Sequence, residues 1–304
     1  MAKVSVILPS RNEQFLEKTI DDIFAKAAGD VEVLAVLDGY WPDPAIPERK
    51  NLTFIHRGRP YGLRHAVNAG AQLAKGKYLL KLDAHCMVAE GFDQVLQDNC
   101  DDDWLVIPSR YSLEPLEWKI LQTGKSRVDY HYMCYPYTAE PGLHGVQWDD
   151  RRRKRSGDPQ YDIDEEMSFQ GSGYFIPRDY FLKIGMFDTD MSHYGTFIEE
   201  PQELGLKVWL SGGKNMTNKK TWYAHLHKGS QFGRGYSMSK GELVRGAIYS
   251  VDYWMNNRGK YPRNMEWFID HFWPVPTWPE DWRDILPEEK KKFRERNSWL
   301  DQIR

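Results

Sequence analysis

Residues 62–88 read GLRHAVNAGAQLAKGKYLLKLDAHCMV and contain the pattern that decides the fold. Apolar residues recur at helical spacing over residues 63–75, and Gly76 is placed to end that helix. Residues 78–82 then predict a buried strand that runs directly into Asp83, Ala84 and His85. Ligands collect at the carboxyl ends of parallel strands, so this tripeptide should face a crevice.

The residues that precede this stretch repeat the same alternation of strand and helix. Strands are predicted at residues 4–8, 31–37 and 52–55, and Asn12 is expected to cap a first helix that Gly29 ends. Such β-α-β units predict an α/β fold with a mainly parallel central sheet flanked by helices. Pro9, Asn12 and Asp38 should then lie at the same edge of the sheet as Asp83.

The second half of the chain is less regular at first. Residues 101–167 show no clear period, and the charged run at residues 149–158 predicts an exposed loop. Strands are expected at residues 173–176 and 222–226, and helices at 178–184, 200–210, 239–255 and 288–300. We predict a catalytic domain over residues 1–235, with a nucleotide-sugar-binding half at 1–110 and an acceptor-side half at 165–235. A helical extension rich in Trp and Pro covers residues 236–304.

The bulk composition gives few further constraints. The 304 residues are 41% hydrophobic and carry a formal net charge of -3, which excludes a whole-chain preference for polyanions. Cys86, Cys100 and Cys134 have no metal-ligand spacing and do not form an even set for disulfides, so free, buried thiols in a reducing compartment are expected. The apolar run at the N-terminus is too short for a signal peptide or a membrane span, which favours a cytoplasmic protein without a membrane partner.

Asp83 and His85 are the first candidates for chemistry. Residues two apart in an extended strand point to the same face, so the carboxylate and the imidazole can hold one divalent cation. Such a cation can neutralise a diphosphate leaving group. Taken alone, the pattern is weak, since a histidine at a strand end is more often a hydrogen-bonded structural residue.

Several linked motifs carry a resemblance to a known family. The segments VSVILPSRNE (4–13), VLAVLDG (33–39) and 62–88 resemble in order and spacing the nucleotide-binding half of family 2 glycosyltransferases. Asp83-Ala84-His85 followed by Cys86 resembles the metal-binding D-x-H of the polypeptide N-acetylgalactosaminyltransferases. The segments GSGYFIPRDYFLKIGMFD (171–188), EEPQELGLKVWLSGG (199–213) and TWYAHLHKG (221–229) resemble the acceptor-side motifs of that family.

This resemblance implies a GT-A fold and the transfer of a sugar from a nucleotide diphosphate sugar, UDP-linked, to a hydroxyl acceptor. It also implies Mn²⁺ or Mg²⁺ as the cofactor, with Asp83, His85 and His225 as ligands. His227, two residues further along the same predicted strand, is the competitor of His225. The resemblance assigns the donor site to Pro9, Arg11, Glu13, Asp38, Arg64, His65 and Asp83.

Two departures from the family bear on mechanism. The turn after the second strand has Leu37-Asp38 where the family has paired aspartates, and Glu200 is followed by Pro201 where the family has Asp or Asn. An inverting transfer needs a carboxylate base, for which Glu200 is the first candidate and Glu199 or Glu203 the next. A retaining transfer can use an oxygen of the departing diphosphate instead, and the departure at Pro201 favours retention.

Two other classes of protein are alternatives to a glycosyltransferase. A nucleotidyltransferase shares the sheet and the acidic metal ligands but normally carries a Gly-rich basic loop after the first strand, which PSRNEQFLEK is not. An inactive homologue that only binds a nucleotide sugar or glycan would not need the complete set Asp83, His85 and His225.

The acceptor is the least determined part of the function. Five adjacent basic residues at 151–155 form a basic run, which a solvated loop accounts for. This run could also steer an anionic polymer such as hydroxylated DNA, as in some phage enzymes. A protein or a saccharide hydroxyl is the alternative acceptor. The basic run consists of Arg151, Arg152, Arg153, Lys154 and Arg155.

Overall fold

The structure is a computed structural model that describes residues 3–121, 127–138 and 142–303. Its strands are β1 (Val4–Ser10), β2 (Val31–Asp38), β3 (Leu52–Arg57), β4 (Tyr78–Leu82), β5 (Cys86–Val88), β6 (Trp104–Glu114), β7 (Lys119–Ile120), β8 (His131–Met133), β9 (Gly145–Gln147), β10 (Ile163–Glu165), β11 (Gly173–Pro177) and β12 (Lys214–His225).

One large sheet contains most of these strands, in the order β10-β12-β6-β11-β4-β1-β2-β3. Strands β4, β1, β2 and β3 are parallel to one another. Strand β11 is antiparallel to both β4 and β6, and β12 returns to a parallel pairing with β6. Strand β5 pairs antiparallel with the end of β12, and β8 and β9 form a separate hairpin. The predicted α/β fold with a mainly parallel sheet is confirmed.

The helices surround this sheet. They are α1 (Leu16–Lys26), α2 (Leu63–Leu73), α3 (Phe92–Gln97), α4 (Asp149–Arg155), α5 (Arg178–Lys183), α6 (Glu200–Leu210), α7 (Gly229–Phe232), α8 (Lys240–Met255), α9 (Met265–Phe272) and α10 (Trp282–Arg296). Short 3-10 turns lie at Pro159–Tyr161 and Ser298–Gln302.

Alternation along β1 explains why helices cover both faces of the sheet. Val6 and Leu8 point to one face, where they pack in one cluster with Ile20 of α1. Ile7 points to the other face and packs with Val67 of α2. Burying each such side chain contributes roughly 1.5–3 kcal/mol, so this strand is fixed from both sides. The result is a three-layer arrangement in which the strand ends are left open to a cleft.

The beginning of α1 differs from the prediction. Asn12 does not cap the helix, which begins at Leu16, and its backbone has a φ of 50°. The Asn12 amide instead donates a hydrogen bond of 2.6 Å to the carbonyl of Gly235. The helix also ends at Lys26, before the predicted stop at Gly29. Asn12 therefore ties the end of β1 to a distant segment, which local sequence could not show.

The region over residues 101–167 contains more regular structure than expected. Strand β6 runs through it with a largely buried first half. The basic run was wrongly predicted as a loop, because residues 149–155 form α4. Asp149 and Asp150 lie in the first turn of that helix and pair with Arg152 and Arg153, an arrangement that the helix dipole also favours.

The predicted bounds are also wrong at two places near the C-terminus. Strand β12 begins at Lys214, well before residue 222, and the last helix spans Trp282–Arg296 with Pro287 inside it. Helices α8, α9 and α10 pack in one aromatic cluster with Trp209 of α6. The division at residue 235 stays a prediction.

Two expectations from the sequence concern membrane spans and the cysteine thiols. No helix in the described part of the chain is long and apolar enough to cross a membrane. Cys86, Cys100 and Cys134 are free, and Cys86 is buried. The prediction of free, buried thiols is confirmed for Cys86, whereas Cys100 and Cys134 are free but only partly buried.

Candidate metal centre and donor cleft

Three side chains converge where β4 and β12 end. The backbone N–H of Asp83 donates to Ser172 O at 2.9 Å, which holds the residue beside the start of β11. Pairing of β5 with β12 sets His225 opposite Cys86, and this register brings His225 next to His85. The ligand atoms of Asp83, His85 and His225 all lie within 4.8 Å of one another. The structure thus brings together the three residues predicted as metal ligands.

The distances within this triad are short. Asp83 Oδ2 lies 3.2 Å from His225 Nε2 and 3.8 Å from His85 Nε2. The two Nε2 atoms are 3.1 Å apart. His85 Nδ1 lies 2.9 Å from Glu13 Oε2, so Glu13 can accept the Nδ1 proton and leave the Nε2 lone pair facing the other two residues. A carboxylate behind a ligating histidine is a common feature of metal centres.

The ionisation of the triad also suits a cation. Burial raises the pKa of Asp83, but Lys81 and the hydrogen bond with His225 outweigh it and hold that pKa below its usual range. Burial lowers the pKa of His225 to about 4, so its imidazole is neutral near pH 7. An ionised carboxylate, a neutral imidazole and a second imidazole beside them form a donor set that fits a divalent transition metal.

A cleft extends from the triad along the ends of β1 and β2. Four of the predicted donor-site residues, Pro9, Arg11, Glu13 and Asp38, line it together with Asp83. Asp38 is buried, and its carboxylate accepts hydrogen bonds from the backbone N–H groups of Tyr61 and Gly62 at 2.9 and 2.8 Å. Its role in the structure is to hold the start of α2 against the cleft. Other lining residues are Ser10, Leu63, Ala66, Thr196, Phe197, Lys228 and Tyr236.

Arg64 and His65 are placed differently from the expectation for the donor site. Arg64 is fully buried, pairs with Glu203 and donates to the carbonyl of Ile198. This correction has a physical reason, because Arg64 lies on the face of α2 that packs against α6 and not on the face toward the cleft. His65 is half-buried with its ring 5.5 Å from that of Tyr61, and burial and Arg57 lower its pKa. Neither residue lines the cleft in the described part of the chain.

The two catalytic candidates lie at the start of α6. Glu200 Oε1 accepts a hydrogen bond of 2.8 Å from the Tyr174 hydroxyl, and Lys81 lies 3.3 Å from Oε2. Burial raises the pKa of Glu200. Glu199 has a left-handed backbone with φ 62°, and its Oε2 accepts from the Ser250 hydroxyl at 3.1 Å. Neither side chain caps the helix.

A second cavity adjoins the first, and Asp83, His85 and His225 are among the residues that line it. Glu199 and Glu200 line it, and His227 lies at its wall. His227 Nε2 is 2.8 Å from Arg110 Nη1, so this nitrogen is directed away from the triad, while the ring packs edge-on against that of His225 with centroids 4.9 Å apart. Other residues around this cavity are Lys81, His144, Gln170, Gly171, Ser172, Gln202, Lys228, Arg234, Tyr236 and Met238.

Sequence reasoning missed three residues of this region. Lys81 is buried beneath Asp83, Lys228 pairs with Glu13, and the ring of Tyr236 lies 5.0 Å from the guanidinium of Arg11. A lysine inside an otherwise apolar strand is the one local signal that could have pointed to Lys81. Lys228 and Tyr236 come to the cleft only through the path of the chain after β12.

The comparisons with known proteins agree with this geometry. Residues 5–141 match the family model of glycosyl transferase family 2. The chain is 27% identical over 236 residues to a Drosophila melanogaster protein named for the polypeptide N-acetylgalactosaminyltransferases. This alignment covers 70% of the chain and 39% of the relative. It is 22% identical over 329 residues to polypeptide N-acetylgalactosaminyltransferase 12 of Mus musculus, covering 92% of the chain and 53% of that protein.

A solved structure shows the same fold. The crystal structure of GalNAc-T7 with UDP, GalNAc and Mn²⁺ superposes with a TM-score of 0.68 at 17% identity, over 90% of this chain and 56% of that one. The chain therefore has the GT-A fold. The chain is similar to glycosyl transferase family 2 over residues 5–141, and the relatives named above are polypeptide N-acetylgalactosaminyltransferases. It spans about half of the length of these relatives or less.

Proposed function

We propose that the protein transfers a sugar from a nucleotide diphosphate sugar to a hydroxyl acceptor with the help of a divalent cation. The observation that carries this proposal is the triad Asp83, His85 and His225 at the junction of two cavities. One cavity leads to the ends of β1 and β2, and the other leads to α6. A metal between a donor pocket and an acceptor pocket is the arrangement expected for a metal-dependent sugar transfer.

The donor is proposed to be a UDP-linked sugar and the cation Mn²⁺, with Mg²⁺ as the alternative. This choice is supported by GalNAc-T7, which crystallised with UDP, GalNAc and Mn²⁺ on the same fold. Asp83, His85 and His225 would hold the cation, which neutralises negative charge on the diphosphate when bound. Residues Pro9, Arg11, Glu13 and Asp38 would surround the nucleoside side of the donor.

The chain's own cations suit a diphosphate in this place. Lys228 lines both cavities, and its ammonium contacts Glu13, the carboxylate that also orients His85. Arg11 lies at the donor cavity, and its guanidinium is over the Tyr236 ring. Both groups can hydrogen-bond phosphate oxygens as charge moves onto the leaving group.

The position of Glu200 favours a transfer with retention. Both of its oxygens already face donors, Tyr174 on one side and Lys81 on the other, so its carboxylate is poorly placed to take a proton from the acceptor. Glu199 is turned toward Ser250. An oxygen of the departing diphosphate can accept that proton instead, with Glu200 orienting the transferred sugar.

For the acceptor, we propose a hydroxyl of a protein or a saccharide. Four of the five basic side chains in α4 contact acidic side chains or aromatic rings, so the helix presents less free positive charge than its sequence indicated. A hydroxylated DNA base is the alternative acceptor. A cytoplasmic location stays a prediction and is supported only by the three free cysteines.

The test is a donor hydrolysis assay on the purified protein. The protein is incubated with Mn²⁺ and a panel of nucleotide sugars, and release of the nucleoside diphosphate is measured with and without a chelator. We expect slow, chelator-sensitive release from one or a few UDP-sugars. Release of pyrophosphate from a nucleoside triphosphate and sugar phosphate would instead establish a nucleotidyltransferase. Tight donor binding without release, even with acceptor hydroxyls present, would establish an inactive homologue.

A further inference from the structure

Lys81 is an unusual residue for its place in the fold. It lies in the central strand β4, whose other members are apolar, and its side chain is only 1% exposed. A buried charge is costly unless ion pairs and hydrogen bonds compensate it. The compensation at Lys81 comes from the cleft side of the sheet, directly beneath the metal triad.

The ammonium group of Lys81 has three hydrogen-bond partners. It lies 2.8 Å from Asp83 Oδ1 and 3.3 Å from Glu200 Oε2, and it also donates to the carbonyl oxygen of Gly171. An ammonium carries three N–H donors, so this set matches its full capacity. Two of the partners belong to different halves of the site, one to the metal triad and one to the start of α6.

We propose that Lys81 is a positioning residue that fixes Asp83 for metal binding and, with the same charge, holds Glu200 away from the metal on the acceptor side. This inference rests on the proposed function. Because Lys81 holds Oδ1 of Asp83, the other oxygen, Oδ2, is directed to His225 and His85. The carboxylate therefore presents one defined oxygen to the cation.

The same contact separates the tasks of two neighbouring carboxylates. Glu200 is buried, and its carboxylate shares the Lys81 ammonium with that of Asp83. Without this ammonium between them, Glu200 would either repel Asp83 or turn to the metal as a further ligand. Lys81 and the hydroxyl of Tyr174 occupy its two oxygens. Loss of Lys81 should thus loosen Asp83 and release Glu200 at once.

The experiment measures Mn²⁺ binding to the donor-free protein by calorimetry or by electron paramagnetic resonance. Outer-sphere partners of metal ligands typically change affinity about 10–100-fold, so Lys81→Met should weaken the Mn²⁺ Kd by about that factor. At saturating Mn²⁺ and donor, kcat of Lys81→Met should still be reduced at least about tenfold, because Glu200 is no longer held. Lys81→Gln, which keeps an N–H donor, should lie between the wild type and Lys81→Met in Mn²⁺ affinity.

Lys207 offers a matched control on α6. It is also a buried lysine, with its Nζ 2.6 Å from both Glu203 Oε1 and the carbonyl of Met186, and it lines neither cavity of the described residues. Lys207→Met should lower thermal stability and leave the Mn²⁺ Kd unchanged.

Two outcomes would overturn the inference, and they differ. If the wild type binds Mn²⁺ and folded Lys81→Met or Lys81→Gln binds it equally well, Lys81 is only structural while the proposed metal centre stands. If the wild type itself binds no Mn²⁺, the metal centre and the inference fail together. Should Lys81→Met not fold, Lys81→Gln decides between these results by the same titration.

Discussion

The Nε2 atoms of His85 and His225 lie 3.1 Å apart, although 140 residues separate the two histidines in the chain. Glu13 contacts the Nδ1 atom of His85, and burial keeps His225 neutral, so two imidazole lone pairs can face the same point. Asp83 Oδ2 lies beside them. Once the Nε2 proton that His225 shares with Asp83 is released, the three atoms are acceptors directed at one point, and a shared cation satisfies them better than they satisfy one another.

The first prediction concerns this centre. Replacing Asp83 or His225 by Ala should leave the fold intact and reduce Mn²⁺-dependent turnover at least about 100-fold, because the cation's stabilisation of the leaving group is worth several kcal/mol. Turnover is measured as nucleoside diphosphate release over a Mn²⁺ titration, and folding by circular dichroism.

His227→Ala is the control for this experiment, since its ring is hydrogen-bonded to Arg110 and stands outside the triad. It should keep the Mn²⁺ affinity of the wild type. Full activity of Asp83→Ala or His225→Ala would contradict the assignment, and loss of Mn²⁺ binding in His227→Ala alone would make His227 the third ligand.

The second prediction concerns Glu200. Glu200→Gln keeps the shape of the side chain and removes its charge, so kcat should fall about 10–100-fold while the KM for the donor changes less than about threefold. Initial rates over a donor concentration series separate the two constants. A large rise in donor KM at unchanged kcat would instead place Glu200 in the donor site.

Local patterns in the sequence were sufficient to predict the strands of the parallel half of the sheet. Strand β4 was predicted with its observed bounds, because five consecutive buried residues followed by Asp83 leave little choice of structure. Strands β1 and β2 were predicted too short at their carboxyl ends, by two residues and by one, but Pro9 and Asp38 line the cleft as expected. The pairing of His225 with His85 came from the family resemblance alone, since no local period connects residues so far apart.

The errors arose where a side chain's direction depends on packing. Arg64 follows the cleft-lining Leu63 in sequence, but one step along a helix turns the side chain by about 100°. The Arg64 guanidinium therefore points to α6, where it forms an ion pair with Glu203. Helix α4 was missed because a run of five cations indicates a solvated loop, whereas Asp149 and Asp150 before the run pair with Arg152 and Arg153 and stabilise a helix. The direction of Arg64 depends on the neighbouring α6, but the ion pairs of α4 are local to its own sequence.

The third prediction uses the ionisation of Glu199. Burial raises its pKa from 4.5 to about 7, so between these values the folded protein keeps a proton that the unfolded chain has lost. The free energy of unfolding should therefore fall as pH rises from about 4.5 to about 7. Relative to Glu199→Gln, this loss should reach about 2–3 kcal/mol at pH 7.

Urea unfolding of both proteins at a series of pH values measures this difference. Glu199→Gln can keep the hydrogen bond with Ser250, so it should be the more stable protein at pH 7 and nearly equal to the wild type near pH 4.5. Parallel pH profiles for the two proteins would show that Glu199 titrates normally.

The fourth prediction concerns the basic residues of α4. Arg151 donates to the carbonyl of Glu165 and lies 5.1 Å from the Trp148 ring, whereas Lys154 is exposed. Arg151→Gln should lower the free energy of unfolding by about 1–3 kcal/mol, because it removes a charged hydrogen bond and packed rings. Lys154→Gln should change it by less than about 0.5 kcal/mol.

The same helix tests the nucleic-acid acceptor. Each phosphate contact made by a free cation steepens the fall of affinity with salt, but Arg152, Arg153 and Arg155 of α4 are paired with Asp149, Asp150 and Asp164. We therefore expect weak binding to single-stranded and duplex DNA, with a shallow salt dependence that neutralising residues 152–154 to Gln does not alter. Fluorescence anisotropy from about 50 to 200 mM salt covers the range in which phosphate contacts are released. Tight, steeply salt-dependent binding that the Gln variant loses would refute this expectation, because α4 would then have exchanged its aspartates for phosphates and DNA would become the acceptor.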